Sequence, residues 1–373
     1  IHIPYCVKRC GYCDFNTYTP QELQTSSLSL ITTPYIDSAL QEIEMASRTA
    51  GSTVVPSIFF GGGTPSLIPG ADIARVIDRI RSRFELASDI EITVEVNPDS
   101  VSEEFLTSIR TAGVNRISMG MQSAAPNVLA ALDRTHDPEN VAKSAALVTE
   151  IGFPHLSVDL IYGVPGESMA DWERTVDVAL SLPIDHLSAY ALIVETGTKL
   201  AARINRGELI VPPEDETAEK YLHLDAATAA SGFEWYELSN WAKPGGECRH
   251  NIGYWNGSNW WGIGPGAHSY LSNRRWWNIK HPNSYQSAIS RGEQPVQNFE
   301  ELSSVNLRDE YLMLNIRMRS GIEMNRLSKD QIDVGSRYLT TGHIDEAAWR
   351  DNRLTLTASG RLIADRIVSE LLV

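Results

Sequence analysis

The chain has 373 residues, of which 42% are hydrophobic and 21% are charged, so it can bury a sizeable core and form about two to three domains. Its 32 basic and 47 acidic residues give a formal net charge of −15, which argues against a protein held on nucleic acid by phosphate contacts. No apolar run reaches the roughly 18 residues of a membrane-spanning helix. Because the first residue is Ile1 rather than Met, we expect the natural N-terminus, with any targeting segment, to lie upstream of this sequence.

The first 240 residues alternate short apolar runs with helical patterns. The predicted strands are Ile1–Pro4, Ser57–Phe60, Ile90–Val96, Arg116–Met121, Leu156–Tyr162 and His186–Val194. The predicted helices are Ile73–Phe84, Ser102–Ala112, Pro138–Ile151 and Met169–Leu182. Short runs rich in Ile, Val and Phe are typical of parallel strands buried on both faces, so this order predicts an α/β fold, open or closed into a barrel. Ligands of such folds bind at the C-terminal ends of the strands.

Residues 233–281 have a different composition. Seven of the nine tryptophans lie between Trp235 and Trp277, interleaved with Gly, Asn and His. Two interpretations stay open: an aromatic mini-core beneath a long loop, or a surface for a flat apolar ligand.

The tail, from about Leu302, resembles a winged-helix module. Its predicted elements are a helix at Ser304–Met318, a helix at Asn325–Lys329, a helix at Gln331–Thr341, a strand at Arg353–Thr357 and a helix at Ala358–Leu372. Residues 301–373 contain 10 basic and 11 acidic residues, so they form no basic face and DNA binding is not expected. We therefore divide the chain into a core at 1–232, an aromatic-rich extension at 233–300 and a C-terminal winged-helix-like domain at 301–373.

Three of the four cysteines lie together. Cys6, Cys10 and Cys13 have the spacing C-x3-C-x2-C and directly follow the first predicted strand. A disulfide would leave one thiol of the three free, and zinc usually takes four ligands from two separated pairs. A [4Fe–4S] cluster needs one ligand per iron, so three thiolates would leave one iron open to a ligand from outside the protein.

This spacing resembles the signature of the radical S-adenosylmethionine (SAM) superfamily. There the open iron chelates the amino and carboxylate groups of SAM, and the reduced cluster breaks its sulfonium bond. The glycine-rich turn Phe60–Ser66, the carboxylate in Val94–Pro98 and the segment Gly120–Ser123 follow the cysteines in the order that the superfamily uses. The resemblance implies a partial (β/α)6-type barrel with SAM contacts at Tyr12, Gly63, Thr64, Glu95, Gln122, Arg134 and Asp159.

Over nearly its whole length the chain is similar to the oxygen-independent coproporphyrinogen dehydrogenase branch of that superfamily. The decarboxylating enzyme has a fourth cysteine two positions after the third, where this chain has Phe15. The string His250-Asn251-Ile-Gly-Tyr254-Trp255 instead resembles the H-N-x-x-Y-W motif of the HemW-type heme chaperones in this branch.

The motif also has a physical case for heme. Heme needs an axial donor for its iron, a flat apolar surface and polar partners for its propionates. His250 supplies an imidazole, Tyr254 and Trp255 a surface, and Asn251 a polar group, together with the neighbouring Arg249. The alternative is that His250 is an ordinary loop histidine. The weaker ligand candidates are His268, His281 and Cys248, and the last of these also fits a plain buried thiol.

The sequence is therefore interpreted as a cytoplasmic protein that binds heme and transfers it to acceptor proteins, membrane-bound ones included. Its cofactors would be SAM and a [4Fe–4S] cluster, which would gate heme loading, release or dimer formation. Two alternatives stay open: a radical SAM enzyme acting on a porphyrin, or a related radical methylase. A simple electron-transfer module is disfavoured by the SAM-contact residues.

Overall fold

The computed structural model describes residues 1–372 and is built around one eight-stranded sheet. The strands of this sheet are β1 (His2–Ile3), β2 (Val54–Gly62), β3 (Glu85–Val96), β4 (Arg116–Gln122), β5 (His155–Tyr162), β6 (His186–Ala191), β7 (Glu234–Glu237) and β8 (Asn240–Ala242). Strands β1 to β6 are parallel and lie in chain order, and β8 and then β7 add antiparallel strands beyond β6. All six strands predicted for the core are confirmed, and the parallel order is that of a (β/α)6-type fold.

Helices connect the parallel strands. They are α1 (Ser29–Ala50), α2 (Gly70–Arg83), α3 (Glu103–Ala112), α4 (Pro126–Ala131), α5 (Pro138–Ile151), α6 (Met169–Ser181), α7 (Lys199–Asn205) and α8 (Glu214–Ala230). The four predicted helices correspond to α2, α3, α5 and α6. The prediction missed the other four, α1, α4, α7 and α8. Of these, α1 has Pro34 in its second turn, and α8 buries the polar Lys220 and Thr228 among its apolar residues.

The two faces of the parallel sheet differ in polarity. Val94 of β3 lies in the main hydrophobic core together with Ile77 of α2. The alternate strand residues Glu95, Ser118 and Asp159 carry polar side chains on the opposite face, where Glu95 pairs in register with Ser118. The sequence-based expectation of strands with two apolar faces was wrong on this point, since the inner face lines a polar interior.

The aromatic-rich segment contributes to the main sheet and also forms a second one. After β7 and β8 come α9 (Arg249–Trp255), β9 (His268–Leu271), β10 (Arg274–Asn278), α10 (Pro282–Ser290) and β11 (Val296–Glu301). Strands β9 to β11 form an antiparallel sheet. The buried carboxylate of Glu42 in α1 holds this segment, since it accepts hydrogen bonds from Gly264 N at 2.8 Å, Asn278 Nδ2 at 2.7 Å and Tyr285 Oη at 2.5 Å.

The C-terminal residues form a smaller unit with its own apolar core. Its elements are α11 (Ser304–Asn315), β12 (Ile322–Glu323), α12 (Lys329–Thr340), α13 (Glu346–Arg350), β13 (Arg353–Leu354), α14 (Ala358–Leu362) and α15 (Ala364–Leu371). Three predictions for this tail need correction: the helix at 325–329 is a 3-10 turn at Met324–Arg326, the strand ends at Leu354, and the last helix is interrupted at Ile363. Arg361 joins this unit to the core through a hydrogen bond from Nη1 to Asp225 Oδ1 of α8 at 2.8 Å.

Among residues 1–372, none of the helices combines the length and the apolarity that crossing a membrane requires.

Candidate cofactor site

The three clustered cysteines lie on the loop after β1, at the C-terminal edge of the sheet. Their thiols are free and partly buried. Thr64 Oγ1 lies 3.6 Å from Cys6 Sγ, and Arg134 Nη1 lies 3.7 Å from Cys10 Sγ. Burial, with smaller contributions from Cys13 and Cys10, raises the pKa of Cys6 to about 11. A cationic group would therefore be needed to stabilise these three thiols as thiolates.

The donor set fits a [4Fe–4S] cluster better than a single ion. Within residues 1–372, no three His, Cys, Asp or Glu side chains converge on one metal position. A cubane asks for three thiolates on three different irons, which matches three cysteines spread along a short loop. Cys6, Cys10 and Cys13 would hold such a cluster, which when bound supplies an electron and an open iron for SAM.

Two predicted SAM-contact residues lie in the turn after β2. Gly63 N donates to Ile3 O at 2.7 Å, and a Cβ on Gly63 would lie 2.4 Å from Tyr5 O. Only glycine fits at this position, because the backbone of residues 3–5 passes too close to leave room for a Cβ. Thr64 N donates to Tyr5 O at 2.8 Å, which leaves the hydroxyl of Thr64 facing Cys6.

Glu95 and Asp159 are carboxyl groups on the polar inner face of the sheet. Glu95 Oε2 accepts from Gly62 N at 3.2 Å, and Ser118 Oγ donates to Asp159 Oδ2 at 3.1 Å. Burial raises the pKa of Glu95 to about 8, with a further contribution from Asp159, and burial raises the pKa of Asp159 to about 6. Both groups would be stabilised as carboxylates by a cationic ligand such as the ammonium group of SAM.

The remaining predicted SAM contacts, Gln122, Arg134 and Tyr12, lie near the same edge. A Cβ on Gly120 would lie 2.9 Å from Gln122 Nε2 and 3.4 Å from Arg134 Nη2, so both side chains converge over Gly120. Gln122 ends β4 in the left-handed region, with φ 61°. The pKa of Tyr12 is raised by burial and then by the neighbouring Cys10. The structure thus brings all seven residues to the end of the sheet that carries the cysteines.

The predicted heme motif forms the short helix α9. The His250 ring stacks on Phe59 of β2, with centroids 4.9 Å apart and an interplanar angle of 18°. Its Nδ1 lies 2.9 Å from Ser57 Oγ, and its Nε2 lies 3.0 Å from Tyr254 Oη. Burial lowers the pKa of His250 to about 4, so the imidazole is neutral at pH 7 and can act as a metal ligand.

A buried ion pair that sequence reasoning missed positions α9. Glu91 of β3 accepts hydrogen bonds from the backbone N–H groups of Arg249 at 3.0 Å and His250 at 2.9 Å. Arg116 Nε of β4 lies 3.3 Å from Glu91 Oε2, and both side chains are almost completely buried. In the sequence, Glu91 and Arg116 are two of several polar residues in β3 and β4, and no local pattern marks them as a pair.

The motif residues Asn251 and Trp255 lie on the other face of α9. Asn251 Nδ2 donates to Glu237 Oε1 at 3.0 Å and to Tyr236 Oη at 3.1 Å. Burial raises the pKa of Glu237, and Trp255, which lies near the same carboxyl group, offsets part of that rise. These two residues hold the helix against β7 and do not share the surroundings of His250.

One cavity of about 1480 Å³ joins the two halves of the site. Its lining includes Cys13 and Glu95 together with His250, Tyr254 and Trp260. The two weaker histidine candidates, His268 and His281, also line it, as do Arg9 and Lys280. Of the predicted cluster and SAM residues only Cys13 and Glu95 line it, and Asn251, Trp255 and Cys248 on the heme side do not.

Comparison with known proteins identifies the family. The radical SAM superfamily model matches residues 1–179. A heme chaperone HemW of Mycobacterium tuberculosis is 46% identical over 372 residues, which span 100% of this chain and 94% of that protein. The chain belongs to the HemW family of radical SAM proteins. This membership implies SAM and a [4Fe–4S] cluster as cofactors.

The chain is also similar to a second relative and to one solved structure. A heme chaperone HemW of Bacillus subtilis is 34% identical over 330 residues, covering 88% of this chain and 85% of that protein. The structure of coproporphyrinogen III oxidase (HemN) from Escherichia coli matches with a TM-score of 0.83 at 21% identity, covering 99% of this chain and 88% of that chain. This second likeness confirms the α/β radical SAM fold.

Proposed function

We propose that this protein is a cytoplasmic heme chaperone, which binds heme at His250 and transfers it to acceptor proteins, membrane-bound ones included. The [4Fe–4S] cluster on Cys6, Cys10 and Cys13 and its SAM would gate heme loading, release or dimer formation. HemW relatives that match nearly the whole chain support this function.

The observation that carries the proposal is the shared cavity. Ligand cavities commonly measure about 300–1,000 Å³, and this one, at about 1480 Å³, has room for a macrocycle beside a second ligand. The neutral imidazole of His250 lines the same space as Glu95 and Cys13. A ligand at His250 and SAM at Glu95 would therefore be neighbours, which gives SAM a physical route to influence heme.

The cavity also offers the other groups that heme requires. Tyr254 and Trp260 form a continuous aromatic wall, with centroids 4.9 Å apart and an edge-to-face angle of 80°. Lys280 lines the cavity and carries a positive charge suited to a propionate. Bound heme would supply iron as a Lewis acid, and His250 would hold that iron through one ring nitrogen.

A hemin titration of the anaerobically reconstituted protein tests the proposal. We expect His250→Ala to weaken hemin binding and shift the Soret band while cluster iron stays unchanged, because the two metals use different ligands. His268→Ala is the matched control, since His268 lines the same cavity and is largely exposed. Wild-type affinity and an unchanged spectrum in His250→Ala would contradict the assigned ligand.

Transfer needs a second measurement. In one arrangement, the heme-loaded protein and the apo form of a heme protein are separated by a membrane that passes neither protein. In the other, the two proteins share one compartment. Heme transfer that is fast only when the two proteins share a compartment supports delivery by direct contact. Equal rates in both arrangements would show simple release of heme and contradict the chaperone function.

A further inference from the structure

Both ring nitrogens of His250 have hydroxyl partners. Ser57 Oγ lies 2.9 Å from Nδ1, and Tyr254 Oη lies 3.0 Å from Nε2. The ring is also fixed from the side, because it stacks on Phe59 at 4.9 Å. A metal ion can therefore bind this imidazole only where one of the two hydroxyl groups leaves.

The two hydroxyl groups differ in strength as donors. The phenol O–H of a tyrosine is far more acidic than the O–H of a serine, so it is the better donor to an imidazole lone pair. With Tyr254 as the donor to Nε2, the proton of the neutral ring lies on Nδ1 and is donated to Ser57 Oγ. This arrangement makes Nε2 the nitrogen with the lone pair that iron would use.

The two hydroxyl groups also differ in their surroundings. Tyr254 is 42% exposed and lines the cavity, whereas Ser57 is on β2, which is fixed within the sheet. The Tyr254 ring is one helical turn from His250 and meets it edge-on, with centroids 5.0 Å apart. Its hydroxyl can leave Nε2 by a rotation of the side chain, while the bond to Ser57 stays in place.

From this geometry, and resting on the proposed function, we infer that Tyr254 and Ser57 regulate His250 in opposite directions. Tyr254 is an internal competitor: its hydroxyl occupies Nε2 and must be displaced for iron to bind there. Ser57 is a positioning residue: it keeps the proton on Nδ1 and the ring oriented, as partners of metal-bound histidines commonly do. Release of heme would be assisted when the Tyr254 hydroxyl returns to Nε2.

Hemin titrations of two variants test the inference. Tyr254→Phe keeps the ring but removes the competing hydroxyl, so hemin affinity should rise about two- to tenfold, the worth of one hydrogen bond. Ser57→Ala should lower hemin affinity about tenfold or more, the usual effect of losing a partner of a metal ligand. The matched controls are Tyr18→Phe and Ser258→Ala, which change hydroxyl groups lining the same cavity and should leave affinity unchanged.

A second readout needs no heme. In the ¹⁵N NMR spectrum of the heme-free protein, His250 should be protonated at Nδ1, and Tyr254→Phe should shift the Nε2 resonance alone. If Tyr254→Phe binds hemin with wild-type affinity while His250→Ala no longer binds it, this inference is overturned and the proposed function stands. Wild-type hemin binding in His250→Ala would instead overturn the proposed ligand, while the NMR spectrum would still report whether Tyr254 occupies Nε2.

Discussion

The chemistry of His250 depends on its burial rather than on its position in a motif. An exposed histidine with a pKa of about 6.5 is partly protonated at neutral pH, and a proton on the nitrogen competes with a metal. Burial lowers the pKa of His250 to about 4, because the charged imidazolium loses its hydration. The neutral, metal-binding form is therefore the dominant one throughout the physiological range.

This shift predicts how hemin binding depends on pH. Between about pH 8 and pH 5.5, hemin affinity should change little, whereas an unshifted histidine would lose about tenfold. Below about pH 4 to 5, protonation of His250 should weaken binding. Hemin titrations across this range measure the effect, with His250→Ala as the reference that lacks the step. A tenfold loss already at pH 5.5 would show that the ligand has an ordinary pKa.

The cysteines give a second prediction for single residues. Cys6, Cys10 and Cys13 should each be required for the cluster, because a lost thiolate leaves one more iron without a protein donor. Cys248 should not be required, since it is only 6% exposed and its Sγ lies 3.5 Å from Glu91 Oε1. Iron and sulfide are measured in each Cys→Ala variant after reconstitution. Retention of the cluster in Cys13→Ala with its loss in Cys248→Ala would reverse the assignment.

Short motifs in the sequence predicted the candidate metal-ligating residues but not the residues that position them. The cysteine spacing and the H-N-x-x-Y-W string are each confined to a few neighbouring positions. Ser57, by contrast, is 193 residues from His250 in the chain, and Glu91 is 159 residues from it. No periodicity or spacing connects such pairs, because only the folded sheet brings them together.

At the scale of elements, α9 shows how one motif can serve two purposes. Positions four residues apart share a helix face, so His250 and Tyr254 lie together and Asn251 and Trp255 lie together. The first pair lines the cavity, and the second pair faces Glu237, whose side chain is nearly inaccessible. The expectation that all four contact heme stays a prediction, and this division allows it to be tested residue by residue.

The division predicts different phenotypes for neighbouring positions. Asn251→Ala should lower the free energy of unfolding by about 1–3 kcal/mol, because a buried carboxyl group loses a donor. The Soret band of bound hemin should stay unchanged. Urea unfolding and hemin spectra are compared with those of Asn298→Ala, an exposed asparagine on β11. A shifted Soret band with unaltered stability would place Asn251 against the heme instead.

Other elements were predictable to different degrees, for physical reasons. The parallel strands were found because their outward residues are apolar and buried against helices, as Val94 and Ile117 are. The motif helix α9 was not predicted, since none of its seven residues is fully buried and its N-terminus depends on Glu91. Elements stabilised by distant polar contacts leave little periodicity in the sequence.

At the scale of the whole molecule, the charges that line the cavity limit its ligands. Three cationic side chains line it: Arg9, Arg249 and Lys280. Arg9 pairs with Glu22 at 3.1 Å, and Arg249 pairs with Asp89. Within residues 1–372, Lys280 is the one of the three without a carboxylate partner. A single unpaired positive charge among the described lining residues suits a ligand with few carboxylates, such as heme with two propionates.

Coproporphyrinogen III carries four propionates. With one unpaired cation lining the described part of the cavity, we expect that this protein does not convert it to protoporphyrinogen IX. Phe15, which is 61% exposed and lines the cavity, also stands where the decarboxylating enzyme has a further cysteine. An anaerobic assay with SAM, a reductant and coproporphyrinogen III, followed by chromatography, should yield no divinyl product. The same preparation must contain the cluster and bind SAM, which makes an inactive result meaningful. Turnover to the divinyl product would mean that the cavity accepts a tetracarboxylate, and the protein would then be an enzyme of porphyrin synthesis rather than a chaperone.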